Sequence, residues 1–447
     1  MTKNKIKKLP IILPLVLLVL ILALYTVMNN RGATAASSLS MGQQYLNKLD
    51  YGGAIAAFTR AVELDPNNTE ARVGLAEAYA GLGEYEFAEE VLGEMVYTTD
   101  PDEGATLALL DVYKAAGDDA KGLQLVQILI NNTDKDEYYQ LRNEILAQLF
   151  DRPRSVAAGI DHAIRIDGGR VLSRGGNHFG QLGTEPASEY TDSFTAAGFS
   201  GTAVKVACFG RTSLVIDSEG RLWAAGENRW GQQGGGYADL SAEGGWTEII
   251  LPAKAADVAG TAGRMFVLLN DGSLLQAGGG DLSRLGPVGR FGTVAAIGAS
   301  SSEVVILTAD GELWRSSSYS PDEWYRLGSN VATFGFSESG SCWIDTDGYI
   351  GNDYAYLYLP DDWYDGMSYM CPYKNVSSMV VIDGVLLLQT GDGKVFAVRE
   401  GTASEIAITS PAVNVYAVGY EAFIEHEDGS VSFITGMNLT PRSIDEY

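Results

Sequence analysis

The stretch SVAAGIDHAIRIDGGRVLSRGGNHFGQLG, residues 155–183, returns as VACFGRTSLVIDSEGRLWAAGENRWGQQG at 206–234. Each copy reads as a strand of small residues, a second strand, a glycine turn and a third strand running into Gly-x-Asn-x-x-Gly-Gln. The hairpin part alone recurs as FVLLNDGSLLQAG (266–278), VVILTADGELWR (304–315), CWIDTDGYIG (342–351), LLLQTGDGKVFAV (386–398) and FIEHEDGSVSFIT (423–435). The turn glycines are Gly169, Gly220, Gly272, Gly311, Gly348, Gly393 and Gly429, spaced 36 to 52 residues apart. Glycine accepts the positive φ of a tight hairpin. A small sheet repeated at this period predicts an all-β ring of seven blades over residues 154–447.

The two complete units resemble the regulator-of-chromosome-condensation repeat, and that resemblance implies a seven-bladed β-propeller. Gly175, Asn177, Gly180 and Gln181, with Gly226, Asn228, Gly231 and Gln232, are then expected to be structural turns, Asn bonding to its own local backbone. Their spacing lacks the Gly-Lys-Ser/Thr of a phosphate loop. The five later units lack this tail. A known fold does not by itself assign a function. Bacterial secreted relatives in this family grip another protein with one propeller face, which implies a binding role.

A second period precedes the first. Tyr45, Tyr79 and Tyr113 stand 34 residues apart. Met41, Gly42, Ala54, Phe58, Ala61 and Pro66 surround the first, and Leu75, Ala76, Ala88, Leu92 and Met95 the second. Leu109, Leu110, Gly122, Val126 and Leu129 make a third set, and residues 137–149 read as a capping helix. The small residues at 54, 88 and 122 let paired helices approach, and the tyrosines fill the gaps between pairs. The order resembles the tetratricopeptide repeat and covers 38–136. That resemblance implies a concave groove lined by Gln43 and Asn47, by Glu77, and by Asp111 and Lys114. Leu39, Val73 and Leu107 stand where the family's carboxylate-clamping lysine would be needed, so the groove is expected to take a neutral or basic segment.

Residues 9–28 carry no charge, and a helix of that length is about 30 Å long, the thickness of a bilayer core. Lys3, Lys5, Lys7 and Lys8 precede it, which predicts a cytoplasmic N-terminus and an extracytoplasmic bulk. A signal peptide cleaved near Ala35 is the alternative. The expected order is a tip and transmembrane anchor (1–32), a linker (33–37), all-α repeats (38–150) and the propeller (154–447). The formal net charge is −26. Such a surface repels phosphate backbones, so nucleic acid is not an expected partner. Proteins are, with cell-wall polysaccharide as the second choice, suggested by tyrosines at 354–358.

Little chemistry is offered. Three cysteines, Cys208, Cys342 and Cys371, have no metal spacing, and one disulfide between Cys342 and Cys371 stays open. Asp345, Asp347 and Asp353 form a weak calcium candidate. Asp361, Asp362 and Asp365 are the only paired-carboxylate candidates for a glycoside-active enzyme. No metal or cofactor is expected. Trp246, Trp324 and Trp363 recur at multiples of 39 residues. They read either as a packing position of each blade or, for Trp324 and Trp363, as a partner-binding surface.

Overall fold

The computed structural model describes residues 34–447 except 134, 136, 139, 140, 143, 146–153, 185–189, 236–244, 280, 281, 318, 319, 339, 354–356, 365–367, 374 and 375. The described chain forms two compact units, one ending at residue 139 and one running from residue 140. The expected membrane helix at 9–28 lies outside the described residues. Among those described, no helix is long and apolar enough to cross a membrane.

The first unit is three helix pairs. They are α1 (34–46) with α2 (Tyr51–Leu64), α3 (Thr69–Gly81) with α4 (Tyr85–Val96), and α5 (Glu103–Ala116) with α6 (Asp119–Thr133). Capping follows the 34-residue period. Asn68 and Asp102 accept the Ala71 and Ala105 amides at 2.9 and 2.8 Å. Asp50 and Asp118 accept those of Gly53 and Lys121 at 3.0 and 3.1 Å. Each such cap is worth about 1 kcal/mol. Glu84, at the matching place before α4, makes no side-chain cap. Ala54, Phe58, Leu75 and Ala78 form the core between pairs. Phe58 explains two helical glycines: a Cβ on Gly42 or Gly74 would lie 2.6 or 2.4 Å from its ring.

The second unit is a seven-bladed propeller, each blade a sheet of consecutive strands. The blades are β1–β4 (Val156–Ala196), β5–β8 (Ala203–Ile249), β9–β12 (Ala255–Pro287), β13–β16 (Val294–Gly328), β17–β19 (Val331–Asn352), β20–β23 (Val376–Ile406) and β24–β27 (Ala412–Ser443). The seven turn glycines all have positive φ, from +77° to +91°. Second strands such as β6 (Thr212–Asp217) and β21 (Val385–Thr390) are buried along their whole length. Both of their faces are covered by neighbouring blades, and the core is accordingly a set of layers between blades.

Blade 5 has three strands. Its outer edge is covered by the segment around Tyr369, whose carbonyl accepts the Ile350 amide at 2.8 Å, and Cys371 donates its amide to Gly348 at 2.9 Å. The ring closes without a shared strand. At the seam Val156, Val418, Phe423, Phe433 and Ile444 pack together. The Glu425 carboxylate accepts from the Ser155 hydroxyl at 2.9 Å and the Tyr416 hydroxyl at 2.8 Å.

Candidate functional site

In the helical unit, Gln43, Glu77 and Asp111 occupy one position of three successive repeats, four residues after Leu39, Val73 and Leu107. Residues four apart on a helix share a face. The three aliphatic side chains are half-buried and the three polar ones exposed. The stripe therefore offers apolar footing beside two carboxylates. Partial burial, and then the charge of Asp111, hold the Glu77 carboxyl above its ordinary value of 4.5. Gln43 donates to Glu70 at 3.4 Å. Lys114 is exposed on α5, and Asn47 is exposed in the turn that follows α1. Between residues 38 and 136, eighteen acids stand against six lysines and arginines.

In the propeller, six innermost strands carry the same irregularity. Each skips one residue, in turn Val204, Ala256, Ala295, Ala332, Ser377 and Val413. Such a bulge re-aims the residue that follows it. Those residues are Lys205, Asp257, Ala296, Thr333, Ser378 and Asn414. Several tie blade to blade. Lys205 Nζ donates to the Ala256 carbonyl at 2.9 Å, Thr333 to Ser377 at 3.3 Å, and the Val415 amide to Ser378 Oγ at 2.9 Å. Arg154, just before β1, joins Asp257 in an ion pair and donates to the Val258 carbonyl at 2.8 Å. The axial cavity among these strands is about 120 Å³. Its polar lining is occupied in holding blades together.

The two Gly-x-Asn-x-x-Gly-Gln turns are built alike. Asn177 Oδ1 accepts the Leu182 amide and Gln181 Oε1 the Phe179 amide, both at 2.9 Å. Asn228 Oδ1 accepts the Gln233 amide at 2.9 Å and Gln232 Oε1 that of Trp230 at 2.8 Å. Asn177, Gln181 and Gln232 are buried.

Asp161, His162 and Ser213 resemble a catalytic triad without its geometry. His162 Nε2 is 2.8 Å from Ser213 Oγ, but that hydroxyl donates to the Gln181 carbonyl at 2.6 Å, and Nδ1 is 3.7 Å from Asp161. His162 is buried, and burial lowers its pKa. The cluster is a packed joint between blades 1 and 2.

Three expectations are corrected. Trp324 and Trp363 are 9% and 7% exposed, so neither indole presents a partner-binding face. Trp246, Trp324 and Trp363 each meet an aromatic ring edge-on, at Phe199, Phe291 and Tyr373. The period marks a packing position: Trp324 lies on the outer strand of blade 4, Trp246 just before that of blade 2, and Trp363 on the short turn 361–363. The calcium candidates are spread apart: Asp345 Oδ1 accepts the Asp347 and Tyr349 amides in its own hairpin, and Asp353 pairs with Arg315 at 2.7 Å. Among the described residues no group of three His, Cys, Asp or Glu could hold a metal. Cys208, Cys342 and Cys371 are free thiols, and burial pushes Cys371 up to about 11. Asp361 and Asp362 are exposed on a short turn anchored by Trp363, and Asp365 lies outside the described residues.

The family profile described as tetratricopeptide repeat matches residues 48–105. The X-linked retinitis pigmentosa GTPase regulator homolog of Caenorhabditis elegans is 31% identical over 137 residues, 30% of this chain and 10% of that protein. The match thus spans a tenth of that relative's length. Prp20p from Saccharomyces cerevisiae, whose structure was described together with its binding to Gsp1p and histones, overlays with a TM-score of 0.50 at 13% identity, covering 67% of this chain and 89% of its own. Human WBSCR16 overlays at 0.49 and 14% identity, over 64% and 87% of the two chains. The chain therefore joins tetratricopeptide-type helical repeats to a seven-bladed β-propeller of the fold seen in Prp20p.

Proposed function

We propose that this chain is a membrane-anchored, extracytoplasmic scaffold that binds a neutral or basic protein segment along its helical repeats. Helical-repeat arrays build extended binding surfaces, and the chain is read as a binding protein with no catalytic role. The observation that carries the reading is the stripe of Gln43, Glu77 and Asp111 beside Leu39, Val73 and Leu107. A partner's lysine or arginine next to an apolar side chain satisfies both halves of that stripe. Localisation rests on residues 9–28 and the lysines before them.

The test is affinity for a lysine- and leucine-containing peptide, measured on the full chain in detergent. Glu77→Lys with Asp111→Lys should weaken binding by about tenfold or more, the scale of charge-assisted contacts. Unchanged affinity sinks the groove reading. Binding should also fall as pH drops through the raised Glu77 pKa, because protonation removes the charge. Protease added outside intact cells should cut the propeller, and alkaline carbonate should leave the chain in the membrane pellet. Release into the supernatant overturns the anchor.

A further inference from the structure

The two complete Gly-x-Asn-x-x-Gly-Gln turns do more than close strands. Their Asn and Gln side chains, buried except for the half-buried Asn228, fix the backbone, so the two residues inside each turn are held on a rigid support. Those residues are His178 and Phe179 in blade 1, and Arg229 and Trp230 in blade 2. Trp230 is 50% exposed. The Arg211 and Arg229 guanidinium groups both lie over the Phe179 ring, at 5.4 and 5.5 Å from its centre. Each is also steadied through its Nε edge: Arg211 reaches Asp161 at 3.0 Å, and Arg229 pairs with Glu227. Ile160, 69% exposed, is brought alongside by its amide, which donates to the Gly210 carbonyl next to Arg211 at 2.8 Å.

Two stacked and anchored arginines have already lost most of the side-chain freedom that binding would otherwise cost. A guanidinium held at its Nε edge still has its terminal nitrogens to offer, in a planar fork that matches a carboxylate. Around them stand an isoleucine and an indole with large open surfaces, the residue types that anchor protein interfaces. The chain is strongly acidic overall, but at physiological salt charges are screened beyond about 8 Å. Within that range Asp161 and Glu227 offset the two arginine charges, so an arriving carboxylate is recognised by the terminal nitrogens they leave exposed.

We propose that the corner between blades 1 and 2 is a docking site for a protein segment presenting a carboxylate beside large apolar side chains. Phe179, Trp230 and Ile160 form the apolar footing, and Arg211 and Arg229 receive the carboxylate. The site uses no residue of the helical groove and prefers the opposite charge.

The test is fluorescence anisotropy with the full chain in detergent and three labelled peptides, Gly-Leu-Glu-Phe-Gly and its Gln and Lys counterparts. The Glu peptide should bind saturably, at least about tenfold more tightly than the others, the scale of a hydrogen bond to a charged group. Arg229→Gln should abolish the preference for Glu over Gln. Trp230→Ala should weaken every peptide. Arg170→Gln, an exposed arginine of another turn, and Glu77→Lys in the groove should change nothing, which separates this site from the groove. Equal binding of the Glu and Gln peptides, a preference that survives Arg229→Gln, or no saturable binding at all would overturn the proposal. Arg229 is exposed, and a circular-dichroism melt of the variant that matches the parent excludes loss of fold.

Discussion

Blades 1 and 2 keep a turn that blades 3 to 7 have lost, yet all seven make the same hairpin. The hairpin glycines sit at nearly the same φ in every blade. The tail glycines face a harder constraint. A Cβ on Gly226, at φ +103°, would lie 2.3 Å from the Arg211 carbonyl, whereas one on Gly429, at φ +80°, would meet nothing within 4 Å. The hairpin asks for a backbone conformation and, at Gly169, Gly220, Gly272 and Gly393, for side-chain room as well, a Cβ there lying 2.3 to 2.8 Å from Thr202, Lys254, Thr293 or Pro411. The glycine that opens the tail asks for positive φ and for space against a backbone carbonyl, a demand that Gly278 of blade 3 shares, with a Cβ 2.2 Å from the Gly263 carbonyl. Every blade thus uses the hairpin, and the complete Gly-x-Asn-x-x-Gly-Gln turn is added in blades 1 and 2.

This contrast is open to direct attack, and all seven tryptophans lie between residues 223 and 363, so their emission reports on the propeller. Gly226→Ala should cost about 3 kcal/mol, combining a left-handed alanine with a backbone clash. A loss no larger than that of Gly429→Ala in urea melts would erase the distinction. Next comes Asn177→Ala, which leaves the buried Leu182 amide unpaired and should cost about 2 kcal/mol. Gly429→Ala should cost about 1 kcal/mol, the conformational term alone.

The smallest effect is one of pH. His162 beside it, with Arg211 and Gln181, holds the Asp161 carboxyl well below its ordinary value of 3.8. A depressed carboxyl stabilises the fold fully above the unfolded pKa, and that contribution is lost as pH falls below it. The stability gap between the parent and Asp161→Asn should therefore narrow from pH 7 to pH 3. A gap that does not vary with pH would remove the electrostatic role. Blade 2 has Thr212 rather than an acid at the matching position, so the effect belongs to blade 1.

What the sequence revealed was local. The 34-residue period located the three helix pairs, and the seven hairpin glycines located the blades, because turns and helix contacts are decided by residues a few places apart. The bulges left no such mark: Val204, Ala256, Ala295, Ala332, Ser377 and Val413 are small residues like many others in these strands, and only the register of the paired strands sets them apart. The seam was equally hidden, since Ser155 and Glu425 are 270 residues apart. Trp324 and Trp363 misled in the partner-binding reading because a period in sequence shows a repeated environment without showing whether it faces solvent. For the corner arginines one signal was present. Arg229 and Trp230 fill the variable places of a turn whose other residues are fixed.

No blade borrows a strand from another, and first and last meet without a backbone ladder: the Ser155 and Val156 amides donate to the Glu425 and Tyr416 side chains, and the Tyr447 ring lies against Phe423 and Phe433 and under the Arg174 guanidinium. A covalent link at this point is therefore incidental to the ring. Residue 447 could be linked by a short spacer to residue 154, and new termini opened between blades 1 and 2 near residues 199–202, leaving every sheet intact. A circularly permuted propeller of this kind would keep its seven blades while moving the attachment of the helical repeats to any chosen edge.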